Sequence, residues 1–499
     1  MGARLQPGLF RPMPLIPARS AAAACLPLLL ALTRALPAAA AAPLCPGCNV
    51  VLVSLDALRA DALGVYGYNR DTSPNLDRLA ARGAVFLNAY AQAPNTFPSH
   101  MSIFTGQYPW THGVRHIERD VLPWDALTLP EMLKLAGYST YWGARHDSPH
   151  LDLSAGFGRG FDNFIPPGPR PDGPLTFSWE REGLAWMEKN RSGRFFAFLH
   201  TENIHSPYIP ERSSVLRFSG EVPEFYASAE ELRRKALAGP QPGWRFPAGP
   251  AAAWRVRRDM GLVFKNSYDQ KDPADLRLSR LLYDACVYDA DRQVGSLYAG
   301  LERLGLAGRT ILVLTSDHGE EFMEHGAIWH NNIYTEHLRV PLIVVIPGAA
   351  PGVRTAALVQ AVDLVPTLLE AVGAPAWPGL DGRSLLPLLG GGGSLPPARF
   401  AYAQWQFSFS VRDPRYTYIG RNKCSGTPSA WSPACVEGEL YDRQADPGEK
   451  KNIQPANKEQ AEALARQLLR ALRTAGKGDV PWPAMRGEDG KSVLDTGYW

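Results

Sequence analysis

The chain has 499 residues, 45% of them hydrophobic and 20% charged, which is enough apolar material for a sizeable core and for a catalytic domain with a smaller companion. Its 52 Lys and Arg against 49 Asp and Glu leave a net charge of +3, and no basic cluster marks a nucleic-acid partner. So small a charge argues neither for nor against a phosphate-rich polymer.

At the amino terminus Arg4, Arg11 and Arg19 precede an apolar stretch from Ala21 to Leu32 and an alanine run at 38–42. That is the order of a secretory signal, and Arg34 and Pro37 cut the apolar part too short to span a bilayer. The expectation is a leader at residues 1–42, removed on export to the periplasm or beyond the cell, with no stable membrane span afterwards. Export makes the remaining cysteines readable as disulfides. Cys424 and Cys435 flank a Ser/Gly/Pro-rich loop and are expected to pair, Cys45 and Cys48 to form a small structural disulfide, and Cys286, in an apolar helical pattern, to stay a buried thiol.

The apolar run from Val50 to Leu55 predicts a buried parallel strand that delivers Asp56 at its carboxyl end, where open α/β sheets bind ligands. Further strands are expected at Ala84 to Leu87, Tyr138 to Trp142, Phe195 to Leu199, Thr310 to Ser316 and Leu342 to Ile346, with helices between them. Between the first and second of these lies Asn95-Thr96-Phe97-Pro98-Ser99-His100, followed by Thr105-Gly106. Phe195 to Leu199 leads into His200-Thr201-Glu202-Asn203-Ile204-His205-Ser206-Pro207-Tyr208. Residues 211–275 mix Pro, Gly, Arg and aromatics without a period, and read either as a substrate-facing lid or as a packed surface excursion. The 310–316 run delivers Asp317-His318-Gly319-Glu320, and Glu324-His325-Gly326 leads through His330 to Glu336. Four glycines at 390–393 and Pro396-Pro397 mark a linker that closes a catalytic domain of residues 45–390. In 396–499, aromatic runs at 400–407 and 416–419 read as antiparallel strands, and Ala456 to Ala475 as a charged amphipathic helix.

Any one of these fragments alone is more often a loop or a helix cap than a site. Together, and in this order, they resemble the sulfatase family, which reads strand-Asp-x-Leu-Arg-x-Asp, a Cys or Ser followed by x-Pro-Ser-Arg and Thr-Gly, His-x-x-x-x-His-x-Pro-Tyr, and strand-Ser-Asp-His-Gly. The resemblance implies an alkaline phosphatase-like fold: a mostly parallel central sheet with helices on both faces, plus a small carboxyl-terminal antiparallel sheet and helix. It also implies metal ligands at Asp56, Thr96, Asp317 and His318, a substrate contact at Asn95, and His205 and His330 at the ester oxygens or the leaving group. His100 stands where relatives carry the Arg that supports the nucleophile. Glu320 and Glu321 are expected to hold loops or to orient His318, and His112, His116, His146 and His150 lie near the same segments without an assigned role.

Three departures from the family pattern matter. In the family the Cys or Ser is oxidised to formylglycine, but Thr96 carries a β-methyl that would make the product a ketone, so no formylglycine is expected. What remains is a hydroxyl nucleophile that needs a metal to act. Ala57 replaces a second Asp, so the carboxylate, hydroxyl and imidazole set favours Zn²⁺ or Mn²⁺ over Ca²⁺. The set also resembles the sites of phosphoethanolamine and lipoteichoic-acid transferases, relatives with a Thr nucleophile. His330 stands where sulfatases hold the sulfate with Lys. The expected activity is metal-dependent hydrolysis of a sulfate or phosphate ester of a small molecule, glycan or lipid. The alternatives are a phosphodiesterase or headgroup transferase working through phosphothreonine, and a metal-stabilised binding protein without turnover.

Overall fold

A computed structural model describes residues 43–116, 120–144, 155–164, 179–223, 271–390, 393–395, 399–422 and 436–474. The leader, the Cys424–Cys435 pair, His146, His150 and most of 211–275 lie outside these residues.

The first strand, β1 (Asn49–Leu55), is buried along its whole length. Val50 and Leu52 enter one core, while Val51, Val53 and Leu55 enter another on the opposite face. A strand covered on both faces has no place for a polar alternation, which is why its sequence is a continuous apolar run. The strands β2 (Ala84–Tyr90), β3 (Ser139–Ala144), β4 (Phe195–Thr201) and β5 (Thr310–Thr315) follow. After them come a short ribbon, β6 (Glu321–Phe322) with β7 (Ile328–Trp329), and then β8 (Arg339–Val340), β9 (Leu342–Val345) and β10 (Val353–Gln360). The central sheet has the order β10-β2-β9-β5-β1-β4-β3, with β8 beside β2.

β1 pairs parallel to both β4 and β5, and β9 runs antiparallel between β2 and β5. The longer helices are α1 (Pro74–Ala80), α2 (Thr96–Thr105), α3 (Leu129–Leu135), α4 (Trp179–Lys189), α5 (Arg212–Ser219), α6 (Pro273–Arg303), α7 (Leu364–Val372) and α8 (Lys458–Thr474). α2, α3 and α7 bury apolar side chains on one face of the sheet, and α1, α4 and α6 on the other. Cys286 is buried in the second of these cores as a thiol, and Cys45 is bonded to Cys48.

The described start of 211–275 is tied to the long helix α6. The Ser214 hydroxyl donates to Asp289 Oδ1 at 2.6 Å, and the Glu211 N–H donates to Asp289 Oδ2. Residues 273–275 already belong to α6, whose start is capped by Asp272 with Pro273 in the first turn.

The strands β11 (Ala401–Trp405), β12 (Ser408–Arg412), β13 (Tyr416–Asn422) and β14 (Val436–Asp442) form an antiparallel sheet in chain order. The aromatic run at 400–407 is therefore broken after Trp405, where Gln406 takes a positive φ of 49° and the chain turns into β12. Ala401, Ala403, Ile419 and Tyr441 pack with Tyr90 and Leu338 of the main body. Ala461, Leu464 and Leu468 of α8 pack with Phe409, Val411 and Leu440. Among the described residues, no helix is long and apolar enough to cross a membrane.

Candidate active site

The parallel register of the central strands assembles the site. Ser54 of β1 lies opposite His200 of β4 and Thr315 of β5, so all three strands end at one level. The Asp56 N–H closes the ladder by donating to Thr201 O at 3.0 Å. Asp56 and Asp317 thus emerge side by side at the carboxyl ends of neighbouring strands, the usual ligand position in an open α/β sheet.

The start of α2 supplies the hydroxyl. Asn95, in an extended conformation, precedes the helix, and Thr96 is its first residue. Two buried hydrogen bonds fix this end: the Ser99 hydroxyl donates to Asp317 O at 2.6 Å, and His100 Nε2 lies 2.9 Å from Ser54 Oγ. His100 Nδ1 lies 2.8 Å from the Thr96 carbonyl, an acceptor, so the proton sits on Nδ1 and Nε2 accepts from Ser54. Both ring nitrogens are used, and His100 holds the start of the helix from behind.

Around His318 Nε2 stand Thr96 Oγ1 at 3.4 Å, Asp317 Oδ2 at 3.4 Å and Asp56 Oδ1 at 3.5 Å. His318 Nδ1 donates to Gly319 O at 2.9 Å, which leaves the Nε2 lone pair facing these oxygens. Asp317 Oδ1 accepts from the N–H of His318 at 2.9 Å and of Ala57 at 3.3 Å, while Oδ2, buried, accepts no hydrogen bond among the described residues. Burial would raise the Asp317 carboxyl, but the neighbouring imidazoles, His318 first, hold it well below the usual carboxylate range. Two buried carboxylates, a hydroxyl and an imidazole converging on one point fit a divalent cation, which would compensate the charge that burial penalises.

His200 joins this group unforeseen. It is fully buried, with Nε2 3.4 Å from Asp56 Oδ2 and its ring against that of His100 at 4.8 Å. Beyond the convergence point, His330 stacks on His318 at 4.3 Å between ring centroids and faces His205 at 4.8 Å. His330 Nδ1 lies 3.2 Å from Glu320 Oε1, so Glu320 orients His330 and not His318. Burial raises the Glu320 carboxyl, but the imidazoles of His330, His205 and His318 together lower the group overall. Glu321 holds its loop, accepting from the N–H groups of His325 and Ala327. His205 Nδ1 donates to Ser206 O at 2.6 Å.

Asn95 is 2% exposed, and its Oδ1 has no hydrogen-bond partner among the described residues. Thr96 is 7% exposed and His330 9%, against 0% for Asp317, His318 and His100, so the Thr96–His330 side is the less deeply buried one. His112, which shares a hydrogen bond with Ser102 at 3.0 Å and accepts from the Val114 N–H, is a satisfied core residue. The His116 backbone N–H donates to Asp120 Oδ2 at 2.9 Å.

Fold and site together define an α/β protein whose candidate site lies at the carboxyl edge of a central sheet. The sulfatase family model matches residues 48–374, well over half of the chain, and a model for the carboxyl-terminal part of N-sulphoglucosamine sulphohydrolase matches residues 323–477. The chain belongs to the sulfatase family, enzymes that hydrolyse sulfuric esters. It is 26% identical to arylsulfatase K of Xenopus laevis over 89% of this chain and 87% of that protein. With human arylsulfatase A the identity is 28%, over 88% and 91% respectively. The fold is shared with a protein solved in complex with its substrate D-glucosamine-2-N,6-O-disulfate, at a TM-score of 0.67, 22% identity and coverage of 87% of this chain and 99% of that one. It is also shared with the phosphonate monoester hydrolase of Agrobacterium radiobacter, at a TM-score of 0.64, 21% identity and coverage of 86% and 95%.

Proposed function

We propose that this protein is an exported, metal-dependent esterase of the sulfatase family in which the unmodified Thr96 hydroxyl is the nucleophile. The observation that carries the reading is the convergence of Thr96 Oγ1, Asp56 Oδ1 and Asp317 Oδ2 on His318 Nε2, all within 3.5 Å, with Thr96 on the less deeply buried side. Asp56, Asp317, His318 and Thr96 would hold one divalent cation, which supplies Lewis acidity to the Thr96 hydroxyl and to the ester oxygens.

Thr96 gives up its hydroxyl proton to solvent and its Oγ forms a bond to sulfur or phosphorus as the bond to the leaving alkoxide breaks, and the alkoxide takes a proton from His330 or His205. His330 is suited to this because Glu320 holds its Nδ1 and leaves Nε2 for the substrate. Asn95 adds a side-chain amide beside the nucleophile. A second attack, by water, then frees Thr96.

That second attack favours a second reading. A formylglycine hydrate releases sulfate by its own collapse, whereas a threonine ester must be attacked again at sulfur or phosphorus. Phosphoryl enzymes do this readily, so a phosphate or phosphonate ester, or transfer to an alcohol, competes with sulfate. The likeness to a phosphonate monoester hydrolase is consistent with it.

Chromogenic sulfate, phosphate and phosphonate esters offered to the metal-loaded protein test both readings. Turnover of the sulfate ester above the others supports the first, the reverse ranking supports the second, and no turnover of any removes both. Residue 96 is expected to be an unmodified threonine in the purified protein, and peptide mass analysis that finds it oxidised overturns the nucleophile assignment.

A further inference from the structure

Ala57, directly after Asp56, has a φ of +60°. An L-residue with a Cβ avoids this region, which glycine enters freely and Asp or Asn more readily than Ala. Ala57 is also fully buried and has no polar side chain with which to hold itself there. The surroundings must impose the conformation.

They do so through three consecutive N–H groups. The Ala57 N–H donates to Asp317 Oδ1 at 3.3 Å, the Leu58 N–H to Ser316 Oγ at 3.0 Å, and the Arg59 N–H to the Tyr283 hydroxyl at 2.9 Å. The same hydroxyl donates to the Ala57 carbonyl at 2.8 Å. One phenol thus grips the turn on both sides of Leu58. Tyr283 is itself fixed, fully buried on α6 with its ring against Tyr208 and Phe322 at 5.6 and 5.1 Å. Burial pushes the phenol well above its ordinary value, so it keeps the proton it donates.

We infer that Tyr283 is a positioning residue of the metal centre, which locks Ala57 in the left-handed conformation and thereby aims the two carboxylates on either side of it. If Ala57 relaxed to negative φ, the Asp56–Ala57 peptide would turn. Its N–H would leave Asp317 Oδ1, and the Asp56 side chain would rotate with it. Glycine at 57 needs no such lock, and that makes the idea testable.

The inference rests on the metal reading above. Zn²⁺ binding to the metal-free full-length protein, measured by competition with a chelating dye, separates the two. A parent that binds no Zn²⁺ overturns the metal reading and this inference with it. With the parent binding, Tyr283→Phe is expected to weaken Zn²⁺ about 10- to 100-fold, the usual effect of removing a group that orients a ligand. Ala57→Gly alone is expected to bind as the parent does, and Tyr283→Phe with Ala57→Gly to recover most of the loss. A merely structural tyrosine would give no such rescue. Parent-like binding by Tyr283→Phe, or a double variant no better than Tyr283→Phe, overturns the inference. Should Tyr283→Phe fail to fold, folding regained in the Ala57→Gly background supports it, and a double variant still unfolded, beside a folded Ala57→Gly, overturns it.

Discussion

Thr96→Ala is expected to abolish turnover while leaving the fold and most of the metal affinity intact. The loss follows from the mechanism: in a covalent scheme the nucleophile and its supporting groups act as a unit, and removing one costs about 10³-fold or more in rate. The retained affinity follows from the geometry, since Asp56, Asp317 and His318 remain around the convergence point. The fold should hold because the start of α2 is anchored by Ser99 and His100, and among the described residues the one side-chain hydrogen bond of Thr96 is the 3.4 Å contact with His318. Thr96→Ser keeps the hydroxyl and loses a methyl, so part of the activity should survive. Steady-state rates on the best ester from the panel, with metal content measured on the same samples, decide the matter. Near-normal turnover by Thr96→Ala would make water the attacking group and end the two-step scheme. An ester that labels Thr96 in the parent enzyme would name the substrate class.

How much of this site could be read from the sequence depended on where each residue draws its geometry. Asp56 and Asp317 were legible because each ends a continuous apolar run, and such runs become central strands with ligands at their carboxyl ends. Thr96 and His318 were legible from the order of motifs, since neither residue type alone marks a site. His200 was not. It opens the His-x-x-x-x-His-x-Pro-Tyr pattern, but it sits within β4 as one more residue of a buried strand, and its contact with Asp56 arises from the β1–β4 register, on which local sequence is silent.

Glu320 fell to the same limit. Two positions from His318 in the chain, it turns instead to His330, ten positions away, because the β6–β7 ribbon folds that segment back. The direction of β9 was illegible for a related reason: a buried apolar strand reads alike in either sense, and β9 enters between β2 and β5 antiparallel to both. Ala57 shows the opposite case. The sequence marks it as a lost oxygen ligand, yet its consequence also lies in the backbone, where a positive φ has to be held by a tyrosine 226 residues along the chain.

Asp317→Asn is expected to cost the protein its metal, and with it all turnover, at little cost to the metal-free fold. The reasoning turns on the two oxygens of this carboxylate. Oδ1 is a structural acceptor for the N–H groups of Ala57 and His318, a task that an amide oxygen can take over. Oδ2 faces the convergence point 3.4 Å from His318 Nε2 and accepts no hydrogen bond among the described residues, so its work is electrostatic, and a neutral amide cannot do it. Asp317→Ala would remove both functions, which is why the amide variant is the sharper test.

With one carboxylate gone, Asp56, a neutral imidazole and a neutral hydroxyl carry too little negative charge to hold a cation against water. The measurement is the thermal shift on adding metal to the chelated protein, because a ligand at 100 times its Kd stabilises by about 2.7 kcal/mol. The parent should rise in melting temperature with Zn²⁺ or Mn²⁺, and less with Ca²⁺, which prefers six to eight oxygens and finds no side-chain oxygen at Ala57. Asp317→Asn should melt near the metal-free parent and rise with none of them. A parent that responds to Ca²⁺ alone would reverse the metal preference, and a variant that still rises with Zn²⁺ would remove Asp317 from the ligand set.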